Sequence, residues 1–162
     1  MKIPVSVKVL VLTLVTTGFY TMVGQLVPQK EVLPPEVVEI SADMTTEEMV
    51  ANGKEIFEGK GICSTCHKIG GGGANERFPN LEGVAVRAET RIEGETGLEY
   101  LAQSLYEPNA FLVPGFAAGM PQINKPPIGL TDGEILMVIA YLQSLGGTPT
   151  VTPETELSYA AD

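Results

Sequence analysis

The sequence contains few of the residues that several common kinds of site require. Only ten Lys and Arg stand against twenty Asp and Glu in 162 residues, which excludes a basic surface for nucleic-acid phosphates. The two cysteines are too few for a small protein held together by disulfides. The one histidine excludes a metal site built on several histidines and a catalytic triad with spare acid–base groups. These three rare residues all fall within positions 63–67, so the chemistry of the chain is concentrated there.

A long apolar segment lies near the N-terminus, at residues 5–27, and is interrupted by one charge, Lys8. At about 1.5 Å per helical residue, it reaches roughly the 30 Å of a bilayer core. The alternative is a cleaved secretory signal, whose apolar part usually spans only about 7–15 residues. The one small-x-small cleavage pattern, at positions 16–18, lies inside the apolar run. These features favour an uncleaved transmembrane anchor over residues 1–27.

The charges beside this segment predict its orientation. Lys2 and Lys8 lie at its N-terminal end, whereas mostly acidic residues follow the other end. Because positively charged residues stay on the cytoplasmic side of a membrane, the rest of the chain is expected outside the cytoplasm.

Three further segments follow the anchor. Residues 28–44 contain three prolines and several acids, and we interpret them as an extended linker, the alternative being an irregular loop without a spacing role. Residues 45–146 are left for one domain, whose modest core would gain from a large buried prosthetic group. Residues 147–162 are rich in Gly, Thr, Pro and acids, which predicts a flexible tail or a segment laid against a partner.

The cysteines and the histidine form the pattern Cys63-Ser64-Thr65-Cys66-His67, which is typical of covalent c-type haem attachment. Two cysteines at this spacing can reach the two vinyl groups on one edge of a porphyrin, and the adjacent imidazole can then bind the iron. A redox Cys-x-x-Cys pair would normally lie among alternating strands and helices, which are not visible here. A structural zinc site needs four ligands where the motif has three, and a buried histidine beside two inert thiols is the remaining alternative. We therefore predict one covalent haem c.

A second axial ligand to the haem iron would have to be a residue other than histidine. Of the six methionines, two lie in the N-terminal segment, two lie near the first predicted helix, and Met137 lies in an apolar run where methionine usually fills a core. Met120 lies in the loop 114–121, which is too rich in Gly and Pro for regular structure. Such a loop can present a thioether to the iron, the alternative being a methionine in a surface turn. Ligation by His67 and Met120 leaves no open position on the iron, which favours electron transfer over peroxide, oxygen or nitric oxide chemistry.

Helical signals recur through the domain. Thr-x-x-Glu capping patterns begin two helices, one from Thr45 toward Gly59 and one from Thr131 to a stop at Gly146. A third helix is predicted over residues 97–106, before a proline. No strand pattern persists for more than a few residues, so the predicted fold class is all-α.

The domain resembles the class I c-type cytochromes from about residue 45 to residue 145. Two of the matching features are predicted helices, a first one with Gly53 and Phe57 and a last one with Tyr141, which would meet at these small and aromatic residues. The others are the haem motif at 63–67, a Pro-Asn-Leu run at 79–81 and a Met-Pro pair at 120–121 in a loop. The resemblance implies helices wrapped around one covalent haem. It also supports the expectation that Gly53 lets another helix approach closely and that Phe57 contacts Tyr141.

The resemblance implies roles for two further residues. In that family the backbone carbonyl of a proline accepts a hydrogen bond from the Nδ1–H group of the haem-ligating histidine, so Pro79 is expected to orient His67. Phe78 stands where the family usually has glycine, so the local turn is expected to differ. Arg87 falls where some relatives hold an arginine near a haem propionate, the alternative being a solvated surface arginine. The family's tryptophan on the propionate side has no counterpart, since the chain has no Trp.

The order of segments is similar to that of the monohaem cytochrome c subunit of bacterial alternative complex III, a quinol:acceptor oxidoreductase. This resemblance implies an electron-transfer subunit that is not itself an enzyme, anchored in the bacterial cytoplasmic membrane by one helix with its haem domain on the periplasmic side. Its partners would be other subunits of a membrane-bound redox complex and a soluble electron donor or acceptor. The cytochrome c subunit of nitric oxide reductase and a stand-alone anchored carrier are alternatives. A haem peroxidase or gas sensor would need an open iron position, which Met120 argues against.

Overall fold

The structure is a computed structural model that describes residues 2–28, 37–71 and 76–159. Each predicted segment therefore has residues outside the described ranges: Met1 of the anchor, 29–36 of the linker, 72–75 of the domain and 160–162 of the tail. The chain divides into two compact units, Met1–Pro34 and Pro35–Asp162. In the described ranges every regular element is helical, which confirms the predicted all-α class.

In the first unit, residues 2–28 are described and form one helix, α1, Val5–Leu26. Its 22 residues have a window of mean hydropathy 1.6, and no part of that window is buried within the protein. The helix is therefore long and apolar enough to cross a membrane, as the sequence predicts.

The described residues of the second unit form four α-helices, α2 (Thr46–Glu58), α3 (Val84–Ala88), α4 (Gly97–Tyr106) and α5 (Asp132–Ser144). Each of the three longer helices begins with a capping box, in which a threonine and a glutamate satisfy each other's backbone N–H groups: Thr45 with Glu48, Thr96 with Glu99, and Thr131 with Glu134. Backbone and hydroxyl hydrogen bonds from the threonines lower the pKa values of Glu48 and Glu99. The box at Thr96 was not predicted, although its Thr-x-x-Glu signature is present in the sequence.

The helices α2 and α5 pack directly against each other. A Cβ atom at Gly53 would overlap the backbone carbonyl of Met137 and come within 3.1 Å of the Tyr141 Cβ, so glycine is required for this approach. The rings of Phe57 and Tyr141 meet edge to face, with centroids 5.4 Å apart. Both contacts that were expected between the two helices are thus confirmed.

A buried ion pair joins the same two elements beyond the end of α2. Lys60 Nζ lies 2.8 and 2.7 Å from the two carboxylate oxygens of Glu134, whose side chain is fully buried. One of these oxygens also accepts a hydrogen bond from the Thr131 backbone N–H group. Because the carboxylate is both paired and hydrogen-bonded, it can be buried, and it fixes the start of the loop that follows α2.

The short helix α3 was not predicted, because five residues are too few to show a helical period. It is held against the end of α5, where the Ala85 backbone N–H group donates to the Leu145 carbonyl over 3.3 Å. Gly146 (φ 97°) lies beside Gly83, and a Cβ atom at residue 146 would stand only 2.9 Å from the Gly83 Cα. The predicted stop at Gly146 therefore also provides room for α3.

The segment after α5 differs from the flexible tail that was expected. Val151 and Leu157 are buried in the core, and the Gln143 side chain binds the backbone N–H group and the hydroxyl of Thr150. The Tyr159 ring stacks on that of Tyr106 at a centroid distance of 6.2 Å. Isolated apolar residues in a polar segment show no period, so their burial could not be seen in the sequence.

The end of the linker also packs on the domain. Val38, Ile40 and Met44 are partly buried against the core. The side chain of Ile40 lies 3.5 Å from the position that a Cβ atom at Gly133 in α5 would take. The described part of the linker, residues 37–44, is therefore in part an extension of the folded unit rather than a spacer alone.

Replacing Gly53 by alanine should destabilise the domain by about 2 kcal/mol or more, since overpacking at the Met137 carbonyl outweighs the roughly 1 kcal/mol that alanine gains over glycine within a helix. Denaturant unfolding followed by circular dichroism measures the change. The control is Gly133→Ala, the same substitution in α5, where the new Cβ meets only ordinary contacts at 3.5 Å. Equal stability of the two variants would contradict the proposed helix contact.

Candidate functional site

One cleft in the second unit is lined mainly by apolar side chains and contains the whole Cys-x-x-Cys-His motif. One wall is the loop after α2. The others are formed by residues 78–91 with α3, by α4, by the loop between α4 and α5, and by one face of α5. Representative apolar lining residues are Phe57, Leu81, Leu101, Leu105, Val138 and Leu142. The cleft is thus a pocket for a large, mostly apolar group that several elements enclose.

A short 3₁₀ turn, Cys63–Thr65, places the motif in this cleft. The carbonyl of Cys63 accepts hydrogen bonds from the backbone N–H groups of Cys66, at 3.1 Å, and His67, at 2.9 Å. The turn is entered through Ile62 in a left-handed conformation (φ 50°, ψ 16°), which is uncommon for a β-branched residue and costs about 1–3 kcal/mol. The left-handed conformation of Ile62, which the sequence did not reveal, turns the chain so that both cysteines and the histidine line one pocket.

The two thiols of the motif differ in environment. Cys63 is largely buried and its Sγ donates to the Gly61 carbonyl over 3.4 Å, whereas Cys66 is exposed. Burial disfavours the thiolate and raises the pKa of Cys63 to about 11. Cys63 is therefore a neutral thiol near neutral pH and a poor nucleophile for thiol–disulfide exchange. Neither cysteine forms a disulfide.

The imidazole of His67 is oriented by a hydrogen bond to the backbone of Pro79. Its Nδ1 lies 2.8 Å from the carbonyl oxygen of Pro79, which has no hydrogen to give, so Nδ1–H is the donor. Nε2 is then the nitrogen whose lone pair is available to a metal. The contact implied for Pro79 by the resemblance is present. Phe78, in the position that usually holds glycine, has its ring centroid 6.3 Å from that of the imidazole.

Met120 lines the same cleft as His67. It lies in a stretch without helix or strand, is half-buried, and packs against the core. By contrast, Met49 and Met137 are fully buried in the core and do not line the cleft, and Met44 accepts a long contact from Asn52, 3.9 Å from nitrogen to sulfur. Among the methionines of the second unit, Met120 is therefore the one that the fold brings to the motif.

Arg87 also lines the cleft, but its guanidinium is held by the backbone. One terminal nitrogen donates to the carbonyl of Glu82 and the other donates to the carbonyl of Asn80 over 2.7 Å. These bonds close the turn that follows Pro79 and so support the residue that orients His67. A second cleft-lining arginine, Arg91, was not singled out from the sequence, because no motif or spacing marks it.

The donor set of the cleft fits a covalently bound haem. Two free thiols line the cleft at the Cys-x-x-Cys sequence spacing of haem attachment, an imidazole has Nε2 available, and a thioether lines the same pocket. Most of the remaining lining is apolar, as a porphyrin face requires. In the described residues no group of three or more His, Cys, Asp and Glu forms a site for a bare metal ion.

Comparison with known proteins agrees with this geometry. A family model described as Cytochrome c matches residues 50–146, which cover most of the second unit and all of the haem motif. No curated protein matches the chain. The match spans more than half of the chain, and it includes the helix pair, the motif, the Pro79 segment and the Met120 loop. The chain therefore belongs to the cytochrome c family and is a carrier of electrons through covalently bound haem c.

Proposed function

We propose that this protein is a one-haem electron-transfer subunit, tethered to the bacterial cytoplasmic membrane by α1, of a quinol:acceptor oxidoreductase of the alternative complex III type. The observation that carries the proposal is the placement of both cysteines, the one histidine and Met120 around a single apolar cleft. Every group needed to attach one haem and to fill both axial positions of its iron comes from this chain.

Cys63 and Cys66 would hold the haem through thioether bonds, and His67 and Met120 would bind its iron. When bound, haem c supplies a one-electron couple at the iron. The Pro79 carbonyl fixes the His67 ring through Nδ1–H, which keeps Nε2 directed into the cleft. With Met120 as the second ligand, the thioether would raise the reduction potential and would leave no open coordination position, which favours electron transfer over ligand chemistry.

The proposed tether is supported by the length and composition of α1. Its apolar side chains are exposed along the whole helix, so they would need another apolar surface around them, and a bilayer core is about as thick as the helix is long. Lys2 and Lys8 at the N-terminal end favour a cytoplasmic N-terminus and a haem domain on the periplasmic side.

Membership of a larger complex is supported by the order of the segments, which is similar to that of the monohaem subunit of alternative complex III. The net charge of −10 would favour partners with basic docking patches, chiefly by raising the rate of encounter. A cytochrome c subunit of nitric oxide reductase and a separate tethered carrier share the same segment order, and the experiment on native membranes below distinguishes the three.

Replacing Met120 by alanine should remove the methionine–iron charge-transfer absorption of the oxidised protein and lower its reduction potential by about 0.1 V or more, within the roughly 0.8 V that axial ligands span. The opened iron position should also bind carbon monoxide in the reduced state. Spectroscopy and redox titration of the haem-loaded protein measure these changes. Met137→Leu is the control, because Met137 is fully buried outside the cleft. An unchanged spectrum in Met120→Ala would refute the ligand assignment.

Extraction of native membranes tests the tether and the complex together. The haem-stained protein should stay in the membrane fraction after an alkaline wash, because α1 would be embedded rather than adsorbed. In mild detergent it should migrate on a native gel within a large assembly that contains further haem and iron–sulfur subunits.

Other results of the same experiment are equally informative. A single small haem band would leave a tethered carrier and discard the complex. Co-migration with nitric oxide reductase activity would select the rival complex. Release by the alkaline wash would contradict the tether itself.

A further inference from the structure

The side chain of Arg91, which lines the haem cleft, carries a buried hydrogen-bond donor. Its Nε atom is shielded from solvent, and no acceptor among the described residues lies within hydrogen-bonding distance. The side chain lines the cleft, and its guanidinium carbon lies 6.0 Å from the centroid of the Tyr100 ring, which limits its freedom to turn away. A buried donor left without an acceptor is costly, so such a group points to an acceptor that a bound molecule supplies.

The other arginine of the cleft, Arg87, is exposed, and none of its donors is both shielded from solvent and without a partner. Both terminal nitrogens of Arg87 donate to backbone carbonyls, those of Glu82 and Asn80. Arg87 thus fulfils a structural requirement of the Pro79 turn. Two of the five N–H donors of Arg87 are therefore committed to this turn, whereas Arg91, four residues later, has a shielded Nε donor without an acceptor among the described residues.

The charge of the cleft favours an anionic acceptor. In a chain with twice as many acids as bases, the described lining contains two arginines and no Asp or Glu. The other titratable side chains that line it are Cys63, Cys66, His67 and Tyr100. The carboxylate nearest in sequence, Glu95, is not in the lining; one of its oxygens accepts from Gln103, the other has no partner in the described residues, and it forms no ion pair with Arg91. The positive charge of Arg91 is therefore not neutralised by the described part of the chain.

We propose that Arg91 Nε donates a hydrogen bond to a haem propionate and that its charge keeps this propionate ionised, a positioning and potential-setting role that the sequence-based candidate Arg87 does not fill. The inference rests on the haem site of the proposed function. The haem carboxylates are the acceptors that a bound c-type haem brings into a cleft without carboxylate side chains. A guanidinium near the haem also favours the reduced, less positive iron, so Arg91 raises the reduction potential.

Redox titration of the haem-loaded full chain as a function of pH tests this role. In Arg91→Gln the propionate loses its cationic partner, so the pKa of its carboxyl rises. The pH range over which the potential falls with increasing pH should therefore move to higher pH, and the potential above that range should be lower than in the wild type. Arg91→Lys, which keeps the charge, should leave the pH range close to that of the wild type.

Lys54→Gln is the matched control, because it removes one positive charge from an exposed side chain outside the cleft. The proposal is overturned if Arg91→Gln and Lys54→Gln have the same pH profile. It is also overturned if Arg87→Gln, and not Arg91→Gln, moves the range. Retention of the methionine–iron absorption in Arg91→Gln shows that the axial ligands are intact, so a failure here is distinguishable from a failure of the proposed haem site.

A second measurement needs no variant at Arg91 and covers the case in which Arg91→Gln does not fold. Carbon-13 NMR of wild-type protein with labelled haem propionates follows the titration of each carboxyl. One propionate should remain ionised to markedly lower pH than the other, because only one meets Arg91. Titration of both carboxyls together at the usual value for a carboxylic acid would overturn the proposal.

Discussion

The close approach of α2 to α5 at Gly53 is the constraint on which the rest of the haem domain depends. α2 leads directly into the loop that carries Cys63, while α5 lines the same cleft through Val138 and Leu142. A side chain at residue 53 would push the two helices apart and so shift the loop with the motif relative to the α5 residues that line the same cleft. The buried pair of Lys60 and Glu134 fixes the same spacing just before the motif, where the chain leaves α2.

This helix pair leaves a cleft whose character is opposite to that of the surface. The surface of the chain is strongly acidic, whereas the described cleft lining is apolar with two arginines and no carboxylate. An apolar lining suits the porphyrin faces, and the shielded Nε of the half-buried Arg91 suits a porphyrin carboxylate. The acidic outer surface can thus attract a protein partner that diffuses to it, while the arginines of the cleft lining can bind the carboxylates of a permanently held cofactor. The Ile62 backbone stores strain where the chain must turn into this cleft.

Much of this arrangement can be predicted from the sequence because it depends on residues that are close to one another along the chain. Thr-x-x-Glu patterns mark two helix starts, the 63–67 motif carries its own chemistry, and the Gly/Pro-rich composition of residues 114–121 marks the Met120 loop as irregular. The features that were missed depend on contacts between distant residues. The burial of Val151 and Leu157 requires a surface provided by other elements, and α3 is too short to have a period. The engagement of Arg87 by backbone carbonyls, and the free Nε of Arg91, depend on where a turn places two similar side chains.

The central claim is that one haem is covalently bound through Cys63 and Cys66. Its most direct test is the intact mass of the protein purified from its native membranes, combined with mapping of the peptide that contains residues 63–67. The account predicts the mass of the chain plus one haem, haem that resists extraction by acidified acetone, and attachment at both cysteines. A chain of unmodified mass, with free thiols or a disulfide between Cys63 and Cys66, would contradict it, as would haem that is extracted intact.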